Sequence, residues 1–362
     1  MRDSRSTLHN AALNGQTRAV ELLLTSGASF IEARDKDRNT PLHLAVWKSH
    51  MDVVQLLLDK GAAVGAINNF YNNPFHLAAW NGHTGMMELL FKSGHILRDG
   101  PTGLLELLLG NSICLEAENK QGNTPLHLAS MKGHISMVEL LLEKGSRIHS
   151  FGENENTPLH LAARSGYVGI VKLLLKKGVF IYVTNSYLNT SLHLAASNGH
   201  TSVVELLLEE GAHLEATNQE ENTPLHLAAQ SSQADVVELL LTKGARIDTT
   251  NGLNNTPLHL AALHGHTTVV ELLLRKGAPI DAPNEGNNTP LHCAVRHGHI
   301  AVVELLLEKG AWVQARDICN NTPLDLAEQL GHFDCAELLK TPNSGSSQSM
   351  FRSPPPPSNR WT

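Results

Sequence analysis

Two apolar signatures alternate along the chain, separated by polar stretches rich in Gly and Asn. The first is T-P-L-H-L-A, intact at Thr40 to Ala45, Thr124 to Ala129, Thr157 to Ala162, Thr223 to Ala228 and Thr256 to Ala261. Thr before Pro predicts a helix start, because the Thr hydroxyl caps free N–H groups and Pro at the first helical position has no N–H to leave unpaired. This helix is expected to run about nine residues and to stop at a Gly, as at Asn81-Gly82, Asn198-Gly199 and His297-Gly298, where a left-handed conformation is cheap. The second signature, V-V-E-L-L-L, stands at Val203 to Leu208 and Val302 to Leu307 and predicts a second helix, closed by K-G-A and a polar loop. Helices this short are marginal alone, since nucleation is costly. Their apolar faces must be buried by neighbouring copies of the same unit.

The spacing confirms repetition. His127, His160, His193, His226, His259 and His292 fall 33 residues apart, and Asp325 continues the series. His9, His43 and His76 stand in the same context nearer the start. A 33-residue period with T-P-L-H-x-A resembles the ankyrin-repeat family. The match covers roughly residues 6 to 340 in ten consecutive units. The resemblance implies an all-α repeat solenoid, a stack of helix-turn-helix units each with a β-hairpin finger, whose first helices line a concave face. The array is expected over residues 1–340, followed by a disordered Pro/Ser-rich tail over 341–362.

Composition then changes the picture in two ways. The formal charge of −7 is spread evenly with no basic run, which disfavours generic nucleic-acid binding and an anionic membrane surface. No stretch of about 18 apolar residues predicts a membrane span. The four cysteines, Cys114, Cys293, Cys319 and Cys335, form no C-x-x-C pair, so reduced thiols in a cytoplasmic or nuclear setting are expected. The 21 histidines invite a metal site, but 16 belong to the repeat. Nine hold the T-P-L-H place, and His50, His83, His134, His200, His266, His299 and His332 lie seven residues after it. No metal, cofactor or catalytic residue is assigned, because phosphate loops, nucleophile elbows and H-E-x-x-H pairs are all missing from the sequence.

The period breaks once. Between His76 and His127 lie 51 residues, one repeat plus 18. Gly82 to Asp99 and Gly100 to Ala117 share Gly, Thr, Gly, Glu, Leu, Leu and Leu at matching places, so a second helix and its exit loop are duplicated over 82–117. One copy fits the regular slot and the other must bulge out or pair elsewhere. In the tail, Pro354 to Pro357 predict a short polyproline II segment. Arg352 and Arg360 flank it without the spacing of an SH3 ligand.

Function must come from side chains that stacking does not need. Two residues before the helix-ending Gly, the first four repeats carry Leu13, Trp47, Trp80 and Met131, whereas the others carry Arg164, Ser197, Gln230, Leu263, Arg296 and Gln329. An apolar stripe with paired aromatic anchors marks a contact surface. Phe70, Tyr71, Phe151 and Tyr187 add aromatic residues at the finger tips. These eight are the candidate partner-binding residues. In the family, asparaginyl hydroxylation falls on an Asn in the loop after the second helix; the aligned places here hold Glu32, Gly65, Glu116, His149, Tyr182, Glu215, Asp248, Asp281 and Gln314. The resulting expectation is a monomeric, non-enzymatic scaffold or adaptor for other proteins. Alternatives are a substrate-targeting subunit of a ubiquitin ligase, a membrane-cytoskeleton adaptor and a host-directed effector of an intracellular bacterium.

Overall fold

The computed structural model describes residues 6–27, 30–93 and 113–340. The tail over 341–362 and the middle of the duplication, 94–112, lie outside the described residues. Ten helix pairs follow in chain order among the described residues, divided into two units that meet at Ser186 and Tyr187.

In the unit ending at Ser186 the first helices are Thr7–Leu13, Pro41–Trp47, Pro74–Asn81, Pro125–Lys132 and Pro158–Arg164. Each packs on its neighbour and on the second helix of its own pair: Thr17–Thr25, Met51–Asp59, Thr84–Ser93, Ile135–Glu143 and Val168–Lys176. The other unit repeats this with first helices Ser191–Ser197, Pro224–Gln230, Pro257–Leu263, Pro290–Arg296 and Pro323–Leu330. Stacking buries what the pattern marked: Leu126, Val138, Leu141, Leu225, Val237 and Leu240 are all fully buried. Energetics are therefore those of nearest neighbours, each pair stabilised by the next.

The first helices are shorter than expected, at seven or eight residues: Pro74–Asn81 and Pro125–Lys132 run directly into a left-handed Gly, whereas Pro41–Trp47 leaves helical geometry one residue earlier, at Lys48. Gly82 is one such residue, at φ 72°, and the His134 ring of the next pair packs so close that a Cβ there would lie 2.5 Å from its Nδ1. Backbone conformation and packing both demand Gly at that place. Ser49 and Ser232 nevertheless adopt φ near 60° in the equivalent position.

At the helix starts, Thr and His form a capping box in which His replaces the usual Glu. The Thr40 N–H donates to His43 Nδ1 at 3.1 Å, and His43 Nε2 donates to the Asn72 carbonyl of the next finger at 3.0 Å. A backbone N–H only donates and a carbonyl only accepts, so the ring is held neutral with its proton on Nε2. His193, His226 and His259 repeat the arrangement onto Asn222, Asn255 and Asn288. Burial holds His43, His76, His127, His193, His226 and His259 at about 4. With both ring nitrogens committed, these histidines staple one pair to the next. Asp325 reproduces only the local half, accepting from the Thr322 N–H and hydroxyl.

The fingers are tight turns. Strand-type residues are limited to Thr184 and Thr190 among the described residues, so the hairpins expected from the resemblance carry almost no ladder. An Asn at the finger base does the work instead. Asn68 Oδ1 accepts from the Phe70 and Asn72 N–H groups, while its Nδ2 donates to Asn39 Oδ1 of the preceding finger at 2.9 Å. Asn251 and Asn284 repeat this ladder in the other unit. The loop position that holds Glu32, Glu116, Glu215 and Asp281 also has a structural use, since each carboxylate accepts a backbone N–H of the following repeat at 2.8–2.9 Å.

The duplication is resolved at its two ends. The regular slot is filled by the helix of the first copy, Thr84–Ser93, with Met86, Met87 and Leu90 buried. The exit loop, however, comes from the second copy: Asn73 Nδ2 donates to the Cys114 carbonyl, and Glu116 accepts from the Arg147 N–H. One repeat is thus assembled from halves of both copies.

Candidate functional site

The first-helix face of the unit ending at Ser186 contains a cavity of about 760 Å³. Its floor is Leu44, Leu77 and Leu128, the second Leu of three T-P-L-H-L-A blocks or their variant. Leu13, Trp47, Trp80 and Met131 stand along it, one from each of four successive first helices, and Phe70 closes one side. Amide side chains of Asn39, Asn68, Asn72, Asn119, Asn123 and Gln121 form the finger wall. Lys48 and Glu153 add one charge of each sign.

Of the eight candidate residues, five therefore share this cavity. Tyr71, though 53% exposed at the adjacent finger tip, does not line it. Phe151 lines a separate cavity of about 650 Å³ with Glu116, Arg147 and His149. Tyr187 begins the other unit, where its carbonyl accepts from the Gln219 N–H.

The lining residues are held firmly. Trp47 is 42% exposed and Trp80 is half-buried. The Lys132 ammonium stands 3.7 Å above the Trp80 ring centroid, a cation–π contact that fixes the indole plane. Histidines of the second series hold the backbone beneath: His50 Nε2 donates to the Leu13 carbonyl and His134 Nε2 to the Trp80 carbonyl, both at 3.0 Å. The Trp47 carbonyl accepts from Asn81 Nδ2 at 3.4 Å.

One polar atom on the wall is unpaired. Elsewhere, the residue two places before the turn reaches back eight positions to a finger Asn: Arg296 Nη2 donates to Asn288 Oδ1 at 3.1 Å, and Gln329 Nε2 to Asn321 Oδ1 at 2.9 Å. The equivalent of that Asn for Trp80 is Asn72, and its Oδ1 is buried without a hydrogen-bond partner. An indole in place of Arg or Gln leaves a buried acceptor unpaired, a cost the rest of the repeat must offset. Periodicity identifies the Trp pair, but neither the finger amides nor this orphan acceptor. The only sequence signal for them is an Asn eight residues before every stripe position except Leu13, and that recurs in repeats where the Asn is satisfied.

The face offers flat aromatic and aliphatic surface, amide donors and acceptors, and few charges. Cys293, in the other unit, is buried and its thiol is pushed up to about 12, which makes it inert. Among the described residues no helix is long and apolar enough to cross a membrane, and no group of three or more His, Cys, Asp or Glu side chains is placed to hold a metal ion.

Comparison with known proteins agrees with this architecture. The family model for ankyrin repeats (3 copies) matches residues 8–99, 95–185, 181–251 and 258–348. The chain belongs to the ankyrin-repeat family. Over 120 residues, 33% of the chain, it is 31% identical to the ankyrin repeat protein FPV219 of Fowlpox virus (strain NVSL), covering 23% of that protein. It is 38% identical over 66 residues, 18% of the chain, to ankyrin repeat domain-containing protein 49 of Bos taurus, covering 28% of it. The Homo sapiens protein of the same name is 40% identical over 57 residues, 16% of the chain and 24% of its own length. The chain thus spans about a quarter of these relatives. Ankyrin repeats are protein–protein interaction modules, and the family is typically a non-enzymatic scaffold.

Proposed function

We propose that the chain is an adaptor that captures a protein partner in the cavity of its first four repeats. The observation that carries this reading is the convergence of Leu13, Trp47, Trp80, Met131 and Phe70 on one cavity from four successive units. A preformed, well-anchored surface limits the ordering cost of binding, so a few aromatic anchors can supply most of the affinity. Four free thiols, three of them buried, support a reducing intracellular setting.

The test is proximity labelling in the native cell with the natural chain and the Trp47→Ala/Trp80→Ala variant. A defined subset of labelled proteins should fall by about tenfold while the thermal midpoint of the variant stays near that of the natural chain. An unchanged set of labelled proteins, or a large drop in the midpoint, would make the indoles core residues and overturn the reading.

A further inference from the structure

The amide ladder that joins the fingers lacks one rung. Six pairs of finger Asn stand in ladder register among the described residues, and five of them are bonded, Nδ2 of one to Oδ1 of the other, at 2.8–3.0 Å and 29 residues apart. The sixth pair is Asn72 and Asn119, 47 residues apart because the duplication lies between them, and no hydrogen bond joins it. Where the ladder has no second Asn, the acceptor is satisfied in another way: Asn123 Oδ1 accepts from the Glu153 N–H at 3.1 Å, and Arg296 and Gln329 serve Asn288 and Asn321. Asn72 Oδ1 is thus the exception in the series. On the donor side, Asn119 Oδ1 accepts from the Gln121 and Asn123 N–H groups at 3.0 Å, which fixes the amide plane, while its Nδ2 makes no hydrogen bond among the described residues. Asn119 is only 9% exposed, and it lines the first-helix cavity together with Asn72 and Trp80.

An unpaired donor and an unpaired acceptor on one cavity wall define the group that fills the gap between them. A carboxylate would be set against the Asn72 oxygen, and an ammonium against the Asn119 amino group, so neither charge suits both ends. The group must be neutral and must donate and accept at once. A backbone peptide group does both, but it carries a Cα on each side and cannot enter a recess walled by a side chain as buried as Asn119. A terminal carboxamide enters end-on at the tip of a flexible stem, and it is the chemistry of the intact rungs. We propose that the gap binds the side-chain carboxamide of an Asn or Gln in the captured partner. Its oxygen accepts from Asn119 Nδ2 and its amino group donates to Asn72 Oδ1, which restores the rung. No hydrogen bond holds the Asn72 side chain, so its carboxamide turns about its terminal bond, a broad torsion, to present the oxygen. An apolar residue of the same partner rests on the Trp80 indole, whose plane Lys132 fixes. Because both ends of the gap are desolvated before the partner arrives, an analogue without the carboxamide leaves them unpaired and is strongly rejected.

This inference rests on the reading of the cavity as a docking site, and one experiment separates the two. Random peptides displayed on phage are panned against the full chain, and the most enriched peptide is synthesised and titrated by fluorescence anisotropy. Enriched peptides should carry an Asn or Gln at a constant distance from an aromatic or aliphatic residue. Replacing that Asn or Gln by its acid, or by Leu or Met, should weaken binding by about tenfold. Asn119→Asp removes the donor but keeps the oxygen that caps the turn, as Asp35 does at the equivalent place of an earlier finger. Both ends of the gap then accept, so the carboxamide peptide should lose about tenfold, and a Lys in place of its Asn or Gln should bind better than the original. Enriched peptides without Asn or Gln, or an affinity that survives removal of the carboxamide, overturn the proposal. If such peptides still lose affinity for the Trp47→Ala/Trp80→Ala variant, the docking site stands and only the carboxamide is removed from it. Peptides indifferent to both indoles overturn the docking site as well.

Discussion

The two units share a scaffold and differ along the stripe, which carries Leu13, Trp47, Trp80, Met131 and Arg164 in one and Ser197, Gln230, Leu263, Arg296 and Gln329 in the other. In the unit beginning at Tyr187 two of the five stripe residues fold back on their own fingers: Arg296 bonds Asn288 and lies 3.9 Å from the buried Asp317 carboxylate, and Gln329 bonds Asn321. At those two repeats the finger Asn is satisfied from within the repeat. In the other unit Trp47 and Trp80 make no such bond to their fingers, so aromatic surface lines one cavity and the buried Asn72 Oδ1 is left without a partner. The difference teaches that exchanging a side chain that bonds its own finger for an indole turns a self-satisfied face into an apolar cavity with an unpaired acceptor.

The comparison holds only if the scaffold is equivalent in both units, and acid tests that most severely. Three buried histidines at about 4 lie in each unit: His43, His76 and His127 in one, His193, His226 and His259 in the other. An exposed imidazole titrates near 6.5, so the unfolded chain takes up protons first as pH falls. The stability contributed is fully present above about pH 6.5 and is lost progressively toward pH 4. Each histidine should cost about 2 kcal/mol at pH 5. Denaturant midpoints read from Trp47 and Trp80, and separately from Trp312, should move down together between pH 7.5 and pH 5. A shift in one probe alone would show that the units are not equivalent.

A smaller effect comes from the turn glycines. Gly82→Ala and Gly265→Ala place a Cβ at positive φ and against the rings of His134 and His299. Each should lose about 1–3 kcal/mol in equilibrium unfolding. Similar losses at the two sites would confirm that the Trp repeat is as tightly stacked as its polar counterpart, whereas a much smaller loss at Gly82 would mark the cavity wall as loose.

The smallest stability effect is expected where the comparison is made most directly. Trp80→Gln should rebuild the internal bond to Asn72 Oδ1, worth about 1 kcal/mol, and offset the lost cation–π contact. Net stability should stay within about 1 kcal/mol while partner capture is lost. The reverse change, Arg296→Trp, should open the Asn288 amide without creating a docking site, since its neighbours Leu263 and Gln329 do not extend an aromatic stripe. Partner capture gained by Arg296→Trp would show that one indole is sufficient and that the four-repeat stripe is not required.

The duplication shows where local reading stopped. Matching residues at Gly82 and Gly100 reveal two copies of one helix and loop, but both are equally good candidates for the slot. Packing chose the helix of the first copy, with Met87 and Leu90 buried, and the loop of the second, through Asn73 and Glu116. The aromatic fingers show the same limit. Phe70 and Tyr71 are chain neighbours of similar exposure, yet only Phe70 lines the cavity, because Tyr71 takes φ 55° at the turn and the pair is split.

What the chain carries in each 33-residue unit was readable without coordinates: two helices, the Thr-Pro start, the Gly stop, the periodic histidines and the ten-unit array. Those signals act over three to eight residues, within the range where capping, φ preference and helical periodicity operate. Tertiary structure alone decided which of the unexplained aromatic residues meet, and which finger amide is left without a partner. Leu13, Trp47, Trp80 and Met131 are separated by 34, 33 and 51 residues. They become neighbours only when the stack brings successive units to helix-packing distance.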